Sequence, residues 1–324
     1  MQQFDVVTIG DSVLDTFLHL AGASDFARID AASRELCIKT GSKVLLDSAD
    51  FLIGGNASNV AVGLSRMGFN AALVAEFGDD EFSQKLIKGL EKEKVNLDNT
   101  LRSPHAASTF SVILDILGDR TAFIRHVKRN HAFSFANVST KWLYLTSLGE
   151  TWETAYEKAL DYKKSSGAKL AFNPGSAQIQ AGPESFTHVL SVTDILFVNR
   201  DEAELILHGK LPEENLTETE ENLLFRIQRM GPKLIVMTDG DRGSYVLDEN
   251  AQLSYEKAAG CKVVEKTGAG DGFASGFLSA MLLGKSVRKA MQYGAANAAS
   301  VIEQVGAEPG LLTREQIEQR IKNS

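Results

Sequence analysis

The chain has 324 residues, 44% of them hydrophobic and 23% charged, and a net charge of −8. This is enough for a large buried core, while the acidic balance, without a long run of Lys and Arg, disfavours nucleic-acid binding. Cys37 and Cys261 stand far apart and the six histidines have no paired spacing, which suits a reducing cytoplasm and argues against a structural zinc site.

The opening "MQQFDVVTIGDS" reads as a strand, with no basic region of a signal peptide. No window of about 18 apolar residues exists to span a membrane. Residues 4–10 form a buried strand ending in Gly. Residues 56–68 carry apolar side chains at 57, 60, 61, 64 and 67, a helical spacing that stops at Gly68. A strand at 71–78 and an amphipathic helix at 80–94 follow. Strands at 141–147, 169–173, 194–199, 233–238 and 244–248 then alternate with helices at 152–166, 183–191, 201–208 and 217–230. The last 55 residues are mostly helical. Such alternation predicts an α/β fold with a mostly parallel central sheet and helices on both faces. Ligands bind such sheets beyond the carboxyl ends of the strands.

Two segments break the pattern. Residues 35–47 read as a hairpin around Thr40-Gly41-Ser42, and residues 107–127 as a second one turning at Gly118-Asp119. Neither leads into a crossover helix. They predict a small β-sheet lid, drawn from about 12–50 and 105–128, or else edge strands of the main sheet. The charged stretch 211–222 reads as a solvated loop and helix start, capped by Thr217 or Thr219.

"EKTGAGDGFASGFLSAML", residues 265–282, places glycines at 268, 270 and 272 before a helical apolar stripe. A dinucleotide fingerprint fails at Phe273, and "GKS" at 284–286 lacks the upstream Gly of a Walker A loop. What remains is an anion cradle made by the amides of Gly268, Ala269, Gly270 and Asp271 at a helix N-terminus. A carboxylate there repels an anion unless its task is to take a proton, so Asp271 is either a general base for phosphoryl transfer or a plain N-cap. "IGGNASNVAVGLSRMG", 53–68, sets Gly54, Gly55 and two asparagines at another helix start. Amides and a nearby Asp15 suit a hydroxyl-rich ligand. "NRDE", 199–202, places Asn199 and Glu202 where Mg²⁺ can be held through water.

The pair "GGNASNVAVGLSRMG" and "TGAGDGFASGFLSAML", with the lid segments, "NRDE", "TDGDRG" (238–243) and "AANAASVIEQVGA", resembles the PfkB, or ribokinase-like, carbohydrate kinase family. The resemblance covers nearly the whole chain and implies one kinase domain over 1–324. It implies ATP-dependent phosphorylation of a hydroxyl on a small sugar of the ribose, fructose or keto-deoxy acid type. A nucleoside kinase and a non-catalytic ligand-binding relative are the alternatives. It implies Asp271 as base and Gly268, Ala269 and Gly270 as anion hole. Asp15, Gly54, Gly55 and Asn59 would hold the sugar, and Glu202 would organise Mg²⁺. Asn199, Thr238, Gly240, Asn297 and Gly306 would line the nucleotide pocket, with core packing the other reading of Asn297. Phe17, Cys37 and Phe110 are candidates for a base slot. Exposed lid edges can pair across a homodimer.

Two departures from the family stand out. Glu265-Lys266 replaces a common Asp-Thr in a region that helps bind a monovalent cation, leaving K⁺ dependence open. Lys266 either supplies a built-in charge or points to solvent. "FIRHVKRNHAF", 123–133, brings Arg125, His126, Lys128 and Arg129 near the substrate side. These either bind an acidic or phosphorylated substrate or are solvated on an alternating strand.

Overall fold

Strands and helices follow one another much as the apolar spacing predicts. The computed structural model describes residues 2–20, 27–30, 35–116, 119–209 and 218–323. The strands are β1 (Gln2–Ile9), β2 (Val13–Leu20), β3 (Ala27–Asp30), β4 (Glu35–Ile38), β5 (Leu46–Gly54), β6 (Ala71–Val74), β7 (Glu76–Phe77) and β8 (Leu101–Arg102). They continue with β9 (Phe110–Ile116), β10 (Asp119–Arg125), β11 (Val138–Leu145), β12 (Lys169–Phe172), β13 (Ile195–Asn199), β14 (Leu234–Thr238), β15 (Ser244–Leu247) and β16 (Leu253–Glu256). The helices are α1 (Asn56–Arg66), α2 (Glu81–Lys92), α3 (Trp152–Ser166), α4 (Ser176–Gln180) and α5 (Thr187–Leu190). After them come α6 (Arg200–His208), α7 (Glu220–Gln228), α8 (Ala269–Leu282), α9 (Val287–Ile302) and α10 (Arg314–Lys322).

The main sheet runs β16-β15-β14-β13-β12-β11-β1-β6. It is parallel from β6 to β14 and closes with the antiparallel β15 and β16. Because side chains alternate across a strand, β11 sends Leu143 and Leu145 to one face and Tyr144 to the other. On the first face they join Phe172, Tyr156 of α3, Ile206 of α6 and Leu223 of α7. On the second, Tyr144 and Phe197 meet Phe277 of α8 and Tyr293 of α9, with Phe197 edge-on to Phe277 at 5.6 Å between ring centres. Burying each such ring stabilises the fold by about 2–3 kcal/mol. This double cover makes the strand cores apolar throughout and leaves only the strand ends for polar chemistry.

The lid is a separate sheet in the order β10-β9-β2-β5, so its strands are not edges of the main sheet. The hairpin expected at 35–47 does not form. A turn is present, with the Ser42 amide and hydroxyl both donating to the Lys39 carbonyl. The flanking strands nevertheless part: β4 pairs back with β3, and β5 pairs with β2. The local turn signal was real, but long-range partners took both strands. Asp15 sits on β2 of the lid. In the second hairpin β9 and β10 pair antiparallel from Ile116↔Asp119 outward, and Gly118 itself lies outside the described residues. The helix expected at 183–191 is split into a 3₁₀ turn at Pro183–Ser185 and the short α5, and β16 was missed. Thr219 caps α7 by accepting the Asn222 amide, and Thr217 lies outside the described residues. Among the described residues, no helix is long and apolar enough to cross a membrane.

Candidate active site

A cavity of about 810 Å³ opens beyond the carboxyl ends of β1, β11, β12, β13 and β14, roofed by β2, β9 and β10 of the lid. A second hollow of about 660 Å³ adjoins it on the far side of α8. Thr238, Gly270 and Phe273 line both. The glycine turn that opens α8 is thus the partition between two ligand-sized spaces.

Gly268 caps α8 with φ of 78°, in the left-handed region that favours glycine. A Cβ there would stand 2.2 Å from the Cβ of Ala307. Only glycine lets the turn lie against the 307 segment and present the first amides of the helix. Asp271 is in the first turn of α8. Its side chain lines the larger cavity yet is only 6% exposed, so it faces the ligand space and not bulk water. Asn59 Nδ2 donates to Asp271 Oδ2 at 2.8 Å. Burial pushes the Asp271 carboxyl up to about 7, the Asn59 bond opposes this, and the nearby charges of Glu202 and Asp15 add to it. A carboxyl poised near neutrality is suited to accept a proton.

Asn59 reaches Asp271 because α1 starts at a tight approach. A Cβ on Gly54 would come within 2.1 Å of the Asp15 carboxylate. The other end of the Asn59 amide, Oδ1, is buried with no hydrogen-bond partner. Asp15 accepts from the Ser111 hydroxyl, and burial raises its carboxyl. Gly55 lines the cavity at the start of α1.

Asn199 and Glu202 form a reciprocal cap on α6: Asn199 Oδ1 accepts the Glu202 amide and Glu202 Oε2 accepts the Asn199 amide, both at 2.8 Å. Both residues also line the cavity, and burial raises the Glu202 carboxyl. Among the described residues no three His, Cys, Asp or Glu side chains group closely enough to hold a metal directly. The carboxylates facing this space fit a hard divalent cation that keeps its waters, and not an all-protein cage.

On the other side of the partition lie Thr238, Gly240, Ala269, Lys257 and Lys266. Three residues expected in a nucleotide pocket are elsewhere: Asn199 lines the larger cavity, and Asn297 and Gly306 line neither hollow. Asn297 is fully buried; it donates to the Gly272 carbonyl at 2.7 Å and to Ser275 Oγ at 3.1 Å, and accepts the Leu312 amide at 2.9 Å. It locks α8, α9 and the 312 segment together and lines neither hollow. Gly306 packs its backbone towards Leu52 and Phe17 and donates to the buried Glu265 carboxylate. Glu265 also accepts the Thr267 amide at 2.6 Å, so it braces the turn that opens α8, while Lys266 is exposed on the second hollow. Phe17, Cys37 and Phe110 line neither hollow.

Asp11 was not anticipated. It follows β1 directly and lines the cavity. Burial pushes its carboxyl up to about 7, against a bond from the Gly149 amide, the charge of Arg129 and the Ser147 hydroxyl. The signal was an acid one residue beyond a buried parallel strand, in "IGDS".

The pfkB family carbohydrate kinase profile matches residues 24–314. The chain belongs to that family. It is an ATP-dependent carbohydrate kinase. It is 23% identical to the ATP-dependent 6-phosphofructokinase of Thermoanaerobacterium thermosaccharolyticum, over 94% of this chain and 90% of that protein. The nucleoside kinase of Methanocaldococcus jannaschii superposes with a TM-score of 0.75 at 21% identity, covering 100% of this chain and 99% of that one. Arabidopsis thaliana ribokinase, solved with ribose and ATP, gives a TM-score of 0.77 at 19% identity, with 100% of both chains covered. At such identities these structures speak to the fold, which is the ribokinase fold with its main sheet and antiparallel lid.

Proposed function

We propose that this pfkB kinase transfers the γ-phosphoryl group of ATP to a hydroxyl of a small sugar held in the larger cavity, with Asp271 as general base. The observation that carries this reading is the pairing of Asp271 with Asn59. The acid has a carboxyl near neutrality, and beside it the Asn59 Oδ1 acceptor has no partner in the protein. A sugar hydroxyl that donates to the Asp271 carboxylate delivers its proton there, while Asn59 Nδ2 holds the other carboxylate oxygen. Asp15 and Gly55 position the other hydroxyls, and Gly54, which does not line the cavity, leaves room for the Asp15 carboxylate. As the phosphoryl group crosses the partition, the amides of Gly268 and Gly270 would face the charge that develops on it, the arrangement that stabilises such a transition state; the Ala269 amide, expected to join them, donates instead to the Lys266 carbonyl at 3.2 Å.

Asn199 and Glu202 would hold Mg²⁺ through its waters, and the ion would neutralise charge on the phosphates. Thr238 and Gly240 form the nucleotide side. In this reading residues 1–324 make one cytoplasmic kinase domain whose lid closes to keep water from the phosphoryl group. The lid edges are where a homodimer would form. A nucleoside is the second reading of the acceptor, favoured by the apolar part of the wall, where Val13, Ile113, Ala122 and Ile124 meet. An ADP-release screen across pentoses, hexoses, sugar acids and nucleosides tests the function. No turnover with any acceptor would refute it.

A further inference from the structure

We infer that the acceptor carries no anionic group, so that phosphorylated and carboxylated sugars are excluded by the charge of the cavity itself. The inference rests on the kinase reading and narrows it. Among the described residues lining the larger cavity, Asp11, Asp15, Glu150, Glu202, Glu265 and Asp271 are carboxylates. His126 is the one lining side chain there able to bear positive charge. A phosphate or carboxylate on the acceptor needs a fixed cation, in most sites an Arg fork or a Lys.

Among the described side chains, the cations that the sequence brings to this neighbourhood are turned away or engaged; that of Arg120 on β10 lies outside them. On β10 the residues that line the cavity are Ala122 and Ile124, so alternation points Arg125 to the other face of the lid. Arg129 is buried; its Nη2 donates to the Ala107 carbonyl at 2.6 Å, and its Nη1 lies 3.5 Å from the Phe77 carbonyl. Lys128 is exposed and stands 3.5 Å from Glu150, one of the carboxylates already counted. Lys257 and Lys266 lie on the nucleotide side of the partition. An anionic acceptor would bring like charge against this wall, a rejecting element rather than the mere lack of an attractive one. An uncharged polyol instead meets hydrogen-bond acceptors matched to its hydroxyls.

The test compares matched acceptors on the full-length chain: ribose with ribose 5-phosphate, fructose with fructose 6-phosphate, and a hexose with the corresponding hexonate. Initial rates give kcat/KM, and titration calorimetry gives binding without turnover. The uncharged members should exceed their anionic partners by at least about 100-fold. A smaller gap overturns the inference. Ala122→Arg, which puts a cation on the lid wall of the cavity, should raise acceptance of the phosphorylated members relative to their uncharged partners by about tenfold or more, and an unchanged ratio overturns the electrostatic cause. The two levels of the argument fail separately. Binding of uncharged sugars without turnover sinks the kinase reading and supports this one. Turnover of anionic acceptors sinks this inference and keeps the kinase. Neither binding nor turnover of either class overturns both.

Discussion

Replacing Asp271 with Asn should make the protein more stable and almost inactive, and the gain in stability should depend on pH. In the folded chain burial pushes this carboxyl from 3.8 up to about 7. A raised carboxyl binds its proton more tightly in the folded state than in the unfolded one. Its contribution is therefore fully present below about pH 4 and is lost as pH rises towards 7. About three units at about 1.4 kcal/mol each give about 4 kcal/mol lost by the wild type above pH 7. Asn is neutral, nearly isosteric and still able to accept from Asn59, so the variant loses nothing across that window. For a chain of 324 residues, an unfolding entropy of about 2.1 cal/mol/K per residue converts about 4 kcal/mol into about 6 °C. Thermal unfolding of both proteins between about pH 5 and pH 8 should show the variant's lead widening by roughly two-thirds of that figure. Turnover should fall by about 10²–10⁴-fold. A lead that stays constant with pH, or a variant that turns over normally, refutes the reasoning.

Three further expectations follow from the same geometry. The acid limb of kcat/KM should be centred near pH 7, where the Asp271 carboxyl titrates. Asn59→Ala removes the bond that favours the charged form, so it should move that limb to higher pH; an unmoved limb separates Asn59 from the base. Gly268→Ala forces a side chain into a φ of 78° and against Ala307. It should cut kcat/KM by about 10²-fold through the displaced amides, with circular dichroism unchanged, and full activity would remove those amides from the mechanism. Asn297→Ala strands the Leu312 amide and removes the bonds to the Gly272 carbonyl and Ser275 Oγ. It should lower stability by about 2–4 kcal/mol while leaving KM for ATP unchanged in the folded fraction; a raised KM with normal unfolding would return Asn297 to the nucleotide site.

Much of this site was legible before folding, because its chemistry is carried by short turns. Gly268, Ala269, Gly270 and Asp271 lie within four positions, and a helix N-terminus presents its amides whatever surrounds it. Asn199 and Glu202 cap one helix and are equally local. Asp15 and Asn59 could be expected at the ligand space from the family resemblance but not placed, since one lies on a lid strand and the other on a helix. Asn297 misled because a polar residue on an Ala-rich helix looks like a ligand; its real partners are on α8 and before α10. Glu265, read beside Lys266 as part of a cation question, turned out to be a brace between two turns.

The order of elements, the alternation that makes a doubly covered parallel sheet, and the glycine-acid turn at the head of α8 were set by the sequence alone. These depend on periodicity, backbone freedom and helix ends, which act over a few residues. Only the tertiary structure decided which strands the lid would pair, that Asp11 would be buried beside Ser147 and Gly149, and which face Arg125 and Arg129 would take. Strand partners, burial and the charge of a cavity wall depend on groups hundreds of residues apart. No local pattern records the dielectric around a carboxylate.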